Sequence, residues 1–129
     1  MEKIRLGDTA QRTITISEDD VERYRQLTGD QNPLHTLSSG ATRFDKPVVH
    51  GMLLASYVSA VIGMQLPGPG SVYVSQEIRF ARPVYFNDTI TITCKVTRFD
   101  PETRLTRLRT VIHKSDSLIL SGYADVLAP

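Results

Sequence analysis

One segment constrains the fold more than any other. Residues 51–66, with the sequence GMLLASYVSAVIGMQL, are apolar on almost every side of a helix, and their length allows about four helical turns. The sequence PGPG at residues 67–70 then ends the helix. A helix that is apolar all round is typical of a buried position rather than of a surface. The rest of the chain is therefore expected to supply a partner that surrounds this helix.

The remaining sequence predicts that partner, a twisted antiparallel sheet. Runs of alternating or β-branched residues cover residues 12–17, 72–80, 90–96, 104–114 and 118–127. Turn-forming sequences, DPET at 100–103 and SDS at 115–117, separate the last three runs. One strongly twisted sheet can wrap a buried helix. The predicted fold is therefore α+β, a hotdog fold: an antiparallel twisted sheet of about five strands wrapped around a long central helix, in one domain over residues 1–129.

A shorter helix is expected near the amino end. Ser17, followed three residues later by Asp20, resembles an N-cap with an acidic first turn. Apolar residues then recur at helical spacing before a glycine that would end the helix; these are Val21, Tyr24, Leu27 and Gly29. Residues 30–46 are irregular, with one short helix expected at residues 38–44.

Charge and cysteine count exclude several kinds of partner. Fifteen basic and 14 acidic residues give a net charge of +1, so neither nucleic acid nor an anionic membrane is an expected partner. Cys94 is the single cysteine and the three histidines lack ligand spacing, so no disulfide, no metal and no cofactor are expected. The chain shows no signal-peptide core, and residues 52–66 are too short to span a bilayer, so a cytoplasmic protein is expected. The open edges of the predicted sheet lead us to expect a homodimer or a higher homo-oligomer.

Residues 28–35, TGDQNPLH, carry the most informative polar side chains. Read alone, Gly, Asp, Asn and Pro in such a cluster are typical of a turn, with His35 in an ordinary surface contact. However, Asn32 and Pro33 restrict the backbone, because a proline fixes its own φ and limits the residue before it. A rigid bend of this kind can direct the carboxylate of Asp30 and the imidazole of His35 toward one point, as acid–base catalysis requires.

A second feature lies at the start of the long apolar helix, in the sequence VHGM at residues 49–52. Free backbone N–H groups and the positive end of the helix dipole concentrate at such a start. A carbonyl oxygen placed at Gly51 would meet donors aimed at developing negative charge. A carboxylate–imidazole pair together with such a site is suited to chemistry next to a carbonyl group.

These residues carry a resemblance to a known family. Residues 24–35 (YRQLTGDQNPLH) and 50–53 (HGML) resemble the R-specific enoyl-CoA hydratases of the MaoC-like group, whose signature is Gly-Asp-x-Asn-Pro-Leu-His followed by His-Gly-Met. The likeness covers nearly the whole chain, most tightly over residues 24–84. It includes Phe44, Pro47, Leu66-Pro67-Gly68, Val72-Tyr73, Phe80, Arg82-Pro83-Val84 and Asp88.

The resemblance implies a reaction. It implies reversible syn addition of water to a trans-2-enoyl thioester of coenzyme A or an acyl carrier protein, which gives the (R)-3-hydroxyacyl thioester. After His35, residues 36–39 read TLSS, where many members of the group continue x-Asp-Pro. That segment flanks the site entrance in the family, so we expect the acyl preference to differ while the chemistry stays the same.

The resemblance also implies a role for individual residues. Asp30 and His35 would hold the water between them, and the N–H of Gly51 would bind the thioester carbonyl. Asn32 would brace the loop, and Ser59 matches the position of a serine that supports the site, although a hydroxyl there can also simply bond within its helix. His50 is a supporting residue, most simply through a local hydrogen bond.

Three other functions stay open at this point. The chain can run the same chemistry as a dehydratase, on an (R)-3-hydroxyacyl carrier-protein thioester or a branched hydroxyacyl-CoA. It can also be an acyl-CoA thioesterase or a non-catalytic hotdog subunit, since one fold hosts many functions. The phosphates of the coenzyme require cations, and the candidates by number are Arg43, Lys46, Arg79 and Arg82.

Overall fold

The computed structural model describes residues 3–35 and 46–129. In chain order, the elements within these ranges are β1 (Thr9–Thr15), α1 (Glu18–Thr28), a 3-10 turn (Pro33–His35), α2 (Gly51–Met64), β2 (Val72–Phe80), β3 (Thr89–Phe99), β4 (Leu105–Lys114) and β5 (Ser117–Leu127). The five strands form one antiparallel sheet in the order β1-β3-β4-β5-β2, so β1 and β2 are its edges. The predicted number of strands and their antiparallel pairing are confirmed.

The core lies between α2 and one face of the sheet. Alternate residues of the central strands are fully buried against the helix, and they include Ile90, Ile92, Cys94, Leu108 and Ile112. The helix contributes the buried side chains Leu53, Leu54, Val58, Val61 and Ile62. Cys94 is thus a small core residue, as predicted, and its burial raises the pKa of the thiol to about 12.

Helix α2 departs from the prediction in its length and in its surroundings. It ends at Met64 rather than at residue 66, because the residue before a proline disfavours helical geometry. It is also not buried on all sides: Met52 and Met64 are 60% and 71% exposed, and Ser56 and Ser59 are exposed as well. The prediction of burial all round is wrong for the single chain, because one sheet covers only one side of a helix.

Helix α1 follows its sequence signals closely. Ser17 and Asp20 form a complete capping box, and Gly29 ends the helix in the left-handed conformation with φ of 78°. The apolar face of α1 is narrower than predicted, since Val21 is buried but Leu27 is 84% exposed. The predicted strand at residues 12–17 is confirmed with shifted bounds, as β1. The helix expected at residues 38–44 lies outside the described residues.

The predicted turns between the last strands are confirmed. The Asp100 carboxylate accepts hydrogen bonds from the backbone N–H groups of Glu102 and Thr103. Ser115, between β4 and β5, has a positive φ of 51°. None of the described helices has the length and apolar character that crossing a membrane requires.

Candidate active site

The loop that follows α1 holds Asp30 in a defined position. One carboxylate oxygen, Oδ1, accepts a hydrogen bond of 3.1 Å from the backbone N–H of Asn32. The Asn32 side chain in turn accepts from the N–H of Leu34, at 3.1 Å, so it braces the bend from inside. Arg25 of α1 bonds to both Glu22 and Gln31 and thereby ties the loop to the helix. The second oxygen of Asp30, Oδ2, is left for other partners, and its side chain is 44% exposed.

His35 ends the 3-10 turn with a fixed ring orientation. Its Nδ1 lies 2.6 Å from the carbonyl oxygen of Val48, and the N–H of Val48 donates to the carbonyl of Leu34 at 2.8 Å. Because a carbonyl oxygen only accepts, Nδ1 carries the proton in this contact. The other ring nitrogen, Nε2, then has a free lone pair whenever the ring is neutral. His35 is therefore prepared to accept a proton or a hydrogen bond at Nε2.

His50, the N-cap residue of α2, lies beneath these two residues. It is 3% exposed, and its ring stacks on that of His35 with centroids 3.6 Å apart and an angle of 21° between the planes. Its Nε2 lies 3.7 Å from Oδ2 of Asp30. His50 makes no capping bond, and neither ring nitrogen has a hydrogen-bond partner in the described structure. The predicted local hydrogen bond is therefore wrong.

The charge state of His50 follows from its surroundings. Burial is the main cause that lowers the pKa of its imidazole below the ordinary 6.5, and His35 and Arg25 lower it further. Asp30 acts in the opposite direction and raises the pKa. The net direction is downward, so His50 is neutral at neutral pH.

Gly51, the first residue of α2, completes the group. Its backbone N–H and that of Met52 donate to no acceptor among the described residues, as expected at the start of a helix. A Cβ atom at Gly51 would lie only 2.9 Å from Cε1 of Phe80. An alanine at this position would have to displace the ring of Phe80, which packs directly against Gly51.

Asp30, His35, His50 and Gly51 line one cavity of about 320 Å³. His35 and Gly51 also line a neighbouring cavity of about 300 Å³ that reaches Arg82. The half-exposed ring of Phe80 borders both. The sequence-predicted pair and the predicted carbonyl site are thus brought together, with open space between them.

Other predicted residues lie elsewhere. Ser59 is exposed in a separate groove between α2 and β2, which it shares with Tyr73 and Gln76, and the structure does not bring it to Asp30 and His35. Among the cation candidates, Arg82 is next to the site, with one guanidinium nitrogen on the carbonyl of Leu118. Lys46 lies over the ring of Tyr85, Arg79 is exposed on β2, and Arg43 is outside the described residues.

Asp30, His35 and His50 also form the donor set of a possible metal site, which sequence spacing did not predict. One ligand atom from each lies within 4.8 Å of the others. However, the lone pairs of stacked imidazoles lie in two nearly parallel planes, here with ring centroids 3.6 Å apart, so the two rings do not converge on one ion. A water molecule suits the same separation better, since two hydrogen bonds of about 2.8 Å can bridge atoms that far apart.

His50, Tyr24 and Phe80 are the site residues that sequence reasoning missed or undervalued. His50 stands between Val48-Val49 and an apolar helix, and this apolar setting was the available signal that its ring is buried. Phe80 belongs to the family resemblance, but no sequence signal marks it as a site residue, and it reaches the site through the pairing of β2 with β5.

Comparisons with known proteins identify the family that the chain resembles. A family model described as a MaoC like domain matches residues 5–116. The (R)-specific enoyl-CoA hydratase of Rhodospirillum rubrum is 39% identical over 99% of this chain and 90% of its own. The 3-hydroxybutyryl-CoA dehydratase of Methylorubrum extorquens is 37% identical over 99% of this chain and 83% of its own.

Solved structures show which proteins share the fold of this chain. The (R)-hydratase from A. caviae involved in PHA biosynthesis superimposes with a TM-score of 0.93 at 35% identity, over 100% of both chains. A mutant of the fluoroacetyl-CoA-specific thioesterase FlK matches with a TM-score of 0.70 at 13% identity, over 96% of this chain and 94% of that one. The second likeness shows a shared fold alone. The hotdog fold predicted from the sequence is confirmed.

Proposed function

The chain belongs to the MaoC-like domain family, and on that premise we propose that it catalyses the reversible hydration of a trans-2-enoyl-CoA to the (R)-3-hydroxyacyl-CoA. The observation that carries this proposal is the meeting of Asp30, His35 and Gly51 at one cavity. A carboxylate, an imidazole lone pair and a free amide are the groups that addition of water next to a thioester requires.

In the proposed mechanism, the thioester carbonyl accepts a hydrogen bond from the N–H of Gly51. The bond draws electron density from C3 of the substrate, and the positive end of α2 stabilises the charge that develops on the oxygen. The C2–C3 π bond supplies the electron pair that moves to the carbonyl as water attacks. Gly51 thus acts on the transition state more strongly than on the ground state.

The water lies between Asp30 and His35. Its oxygen bonds to C3, one member of the pair takes the proton that leaves, and a proton is delivered to C2 as the enolate collapses. Both additions occur on the face where the pair lies, so the addition is syn.

A hydration assay tests the proposal directly. Purified protein mixed with crotonyl-CoA is expected to lower the ultraviolet absorbance of the enoyl thioester without release of free thiol, and chiral analysis is expected to give the R product. Thiol release with the double bond retained would instead identify a thioesterase. The reverse reaction from (R)-3-hydroxybutyryl-CoA and parallel rates on carrier-protein thioesters separate the hydratase from the dehydratase alternatives.

We also propose that the active form is a homodimer of single-domain chains over residues 1–129. The face of α2 with Met52 and Met64 is exposed, and the neighbouring edge strand β2 exposes Val72 and Val74. An exposed edge next to apolar side chains is suited to pairing with a second copy. Gel filtration combined with the hydration assay tests this, and an inactive purified chain would favour a non-catalytic subunit.

The proposed compartment is the cytoplasm, because the only thiol of the chain is unpaired and buried.

Arg82 is the proposed contact for a coenzyme phosphate, since it lines the cavity that His35 and Gly51 border.

Replacement of Gly51 by alanine is expected to lower kcat/KM for crotonyl-CoA at least about tenfold. Complete loss of a hydrogen-bond donor to the carbonyl lowers kcat about 10²–10³-fold in enzymes of this kind of chemistry, and a misplaced donor should cost less. The added methyl group would lie 2.9 Å from Cε1 of Phe80 and force this ring, which borders the cavity, to move. The matched control is Gly63→Ala, on the same helix with no atom within 4 Å of the new Cβ. Equal kcat/KM values for the two variants would contradict the tight packing of Phe80 against Gly51 at the site.

A further inference from the structure

One buried polar side chain, His50, has no role in the proposed hydration mechanism. His50 is 3% exposed, yet neither of its ring nitrogens has a hydrogen-bond partner in the described structure. Buried polar groups of this kind are rare and call for an explanation, because they have given up their hydrogen bonds to water. A helix cap does not explain it, since His50 makes no capping bond with its side chain.

The packing of the ring gives the first part of an explanation. His35 stacks on one face of His50 at 3.6 Å, and the ring of Tyr24 meets it edge-on at 4.9 Å between centroids. His35 is held at its Nδ1 by the carbonyl of Val48. That single bond fixes one point of the ring, and the stacked face of His50 fixes its plane.

The second part is the direction of Nε2 of His50. It lies 3.7 Å from Oδ2 of Asp30, the carboxylate oxygen that makes no bond within its own loop. This separation is longer than a hydrogen bond. Hydrogen bonds of catalytic groups are often long without substrate and shorten in the complex. An N–H on Nε2 would then donate to Asp30.

The charges around the ring favour this arrangement. Asp30, His35 and Arg25 are the charged or titratable groups that act on it, and the phenol ring of Tyr24 packs against its edge. Burial, His35 and Arg25 lower the pKa of His50, while the carboxylate charge of Asp30 and, after it, the backbone carbonyl of Asp30 raise it. A neutral ring can donate one hydrogen bond without placing a positive charge against His35.

From these contacts, and on the premise of the proposed hydration, we infer that His50 is a positioning residue. Its ring face sets the plane of His35, and its Nε2–H orients the carboxylate of Asp30 as the substrate enters. The two catalytic groups come from the same loop, and His50 lies next to both, so one side chain supports the separation between them.

Three substitutions separate the two parts of this role. His50→Ala removes the ring and the donor and is expected to lower kcat about 10- to 100-fold with KM changed less than about threefold, a smaller loss than the roughly 10²–10⁴-fold of a group that transfers the proton itself. His50→Phe keeps a ring, and His50→Gln keeps an N–H donor, so each is expected to recover part of kcat. Wild-type kcat in His50→Ala, or full recovery in His50→Phe, would overturn the inference.

A titration provides a second test, which does not depend on turnover. Followed by nuclear magnetic resonance of labelled histidine, His50 is expected to titrate below the ordinary 6.5 and to carry its proton on Nε2 at neutral pH. Asp30→Asn should lower the midpoint further, because the carboxylate raises it, and His35→Ala should raise it. A midpoint at or above 6.5, or one that ignores Asp30→Asn, would overturn the inference. An inactive wild type with the expected titration would instead refute the proposed reaction alone.

Discussion

Replacement of Asp30 by asparagine is expected to lower kcat for crotonyl-CoA hydration by about 100-fold or more, the general scale for loss of an acid–base group. The amide can neither take a proton from water nor carry the negative charge that orients it. The fold should be unaffected, because the amide oxygen of Asn still accepts the 3.1 Å bond from the N–H of Asn32. Steady-state rates and urea unfolding of the same preparation measure both effects.

A matched control for Asp30 is available on the surface. Asp19→Asn makes the same chemical change at a carboxylate that is 78% exposed and whose ion-pair partner among the described residues is Arg23. Exposed pairs contribute little to stability, so this variant should keep the wild-type rate. If Asp30→Asn also keeps a rate within about threefold of wild type while folded, Asp30 is not part of the acid–base pair.

Local chemistry accounts for the parts of the structure that the sequence predicts well. The Ser17 capping box and the left-handed Gly29 fix both ends of α1 with atoms that lie within a few residues. The bend at Asn32 is equally local, since its side chain bonds to Leu34 and its carbonyl to the N–H of His35. Such features depend on neighbours in the chain, which a single sequence displays directly.

Features that depend on distant neighbours are predicted less well. The apolar residues of α2 predict a buried helix, but Met52 and Met64 are exposed because the sheet covers only one side of that helix. Apolar composition cannot tell whether the cover for the other side comes from the same chain. Leu27 shows the same limit, because its helical spacing matches Val21 while the sheet does not extend beneath it.

The arrangement of the site shows why one of its members was undervalued. Asp30 and His35 share one loop, so their proximity follows from the Asn32-Pro33 bend. His50 reaches them only because Val48 pairs with Leu34 and with Tyr85, and because Val49 bonds to Val84. These long-range backbone contacts bring the ring of His50 against that of His35. The spacing of residues in the sequence does not predict such contacts.

Replacement of Gly122 by alanine is expected to be the most destabilising single-methyl change in the described structure, by about 3 kcal/mol or more, at the upper end of the usual cost of overpacking. Gly122 pairs with Ile78 of β2 and with Thr110 of β4. A Cβ atom there would lie 1.8 Å from the carbonyl oxygen of Glu77 and 3.1 Å from Cα of Ile78. These are backbone atoms, so no side-chain rotation relieves the clash.

The consequence of Gly122→Ala should extend from stability to the site, because β2 must separate from β5 or shift along it. Strand β2 carries Phe80, whose ring borders the cavity of Asp30, His35 and Gly51, and it forms the proposed dimer edge. Urea unfolding, gel filtration and the hydration assay should therefore change together. Gly63→Ala is again the control, since the same methyl group meets open space in a helix and should be neutral or stabilising by up to about 1 kcal/mol. The free energy of unfolding of Gly122→Ala could instead lie within about 0.5 kcal/mol of the wild-type value, the range of an ordinary surface change. The close pairing of β2 with β5 at this position would then be incorrect, and so would the placement of Phe80 at the site.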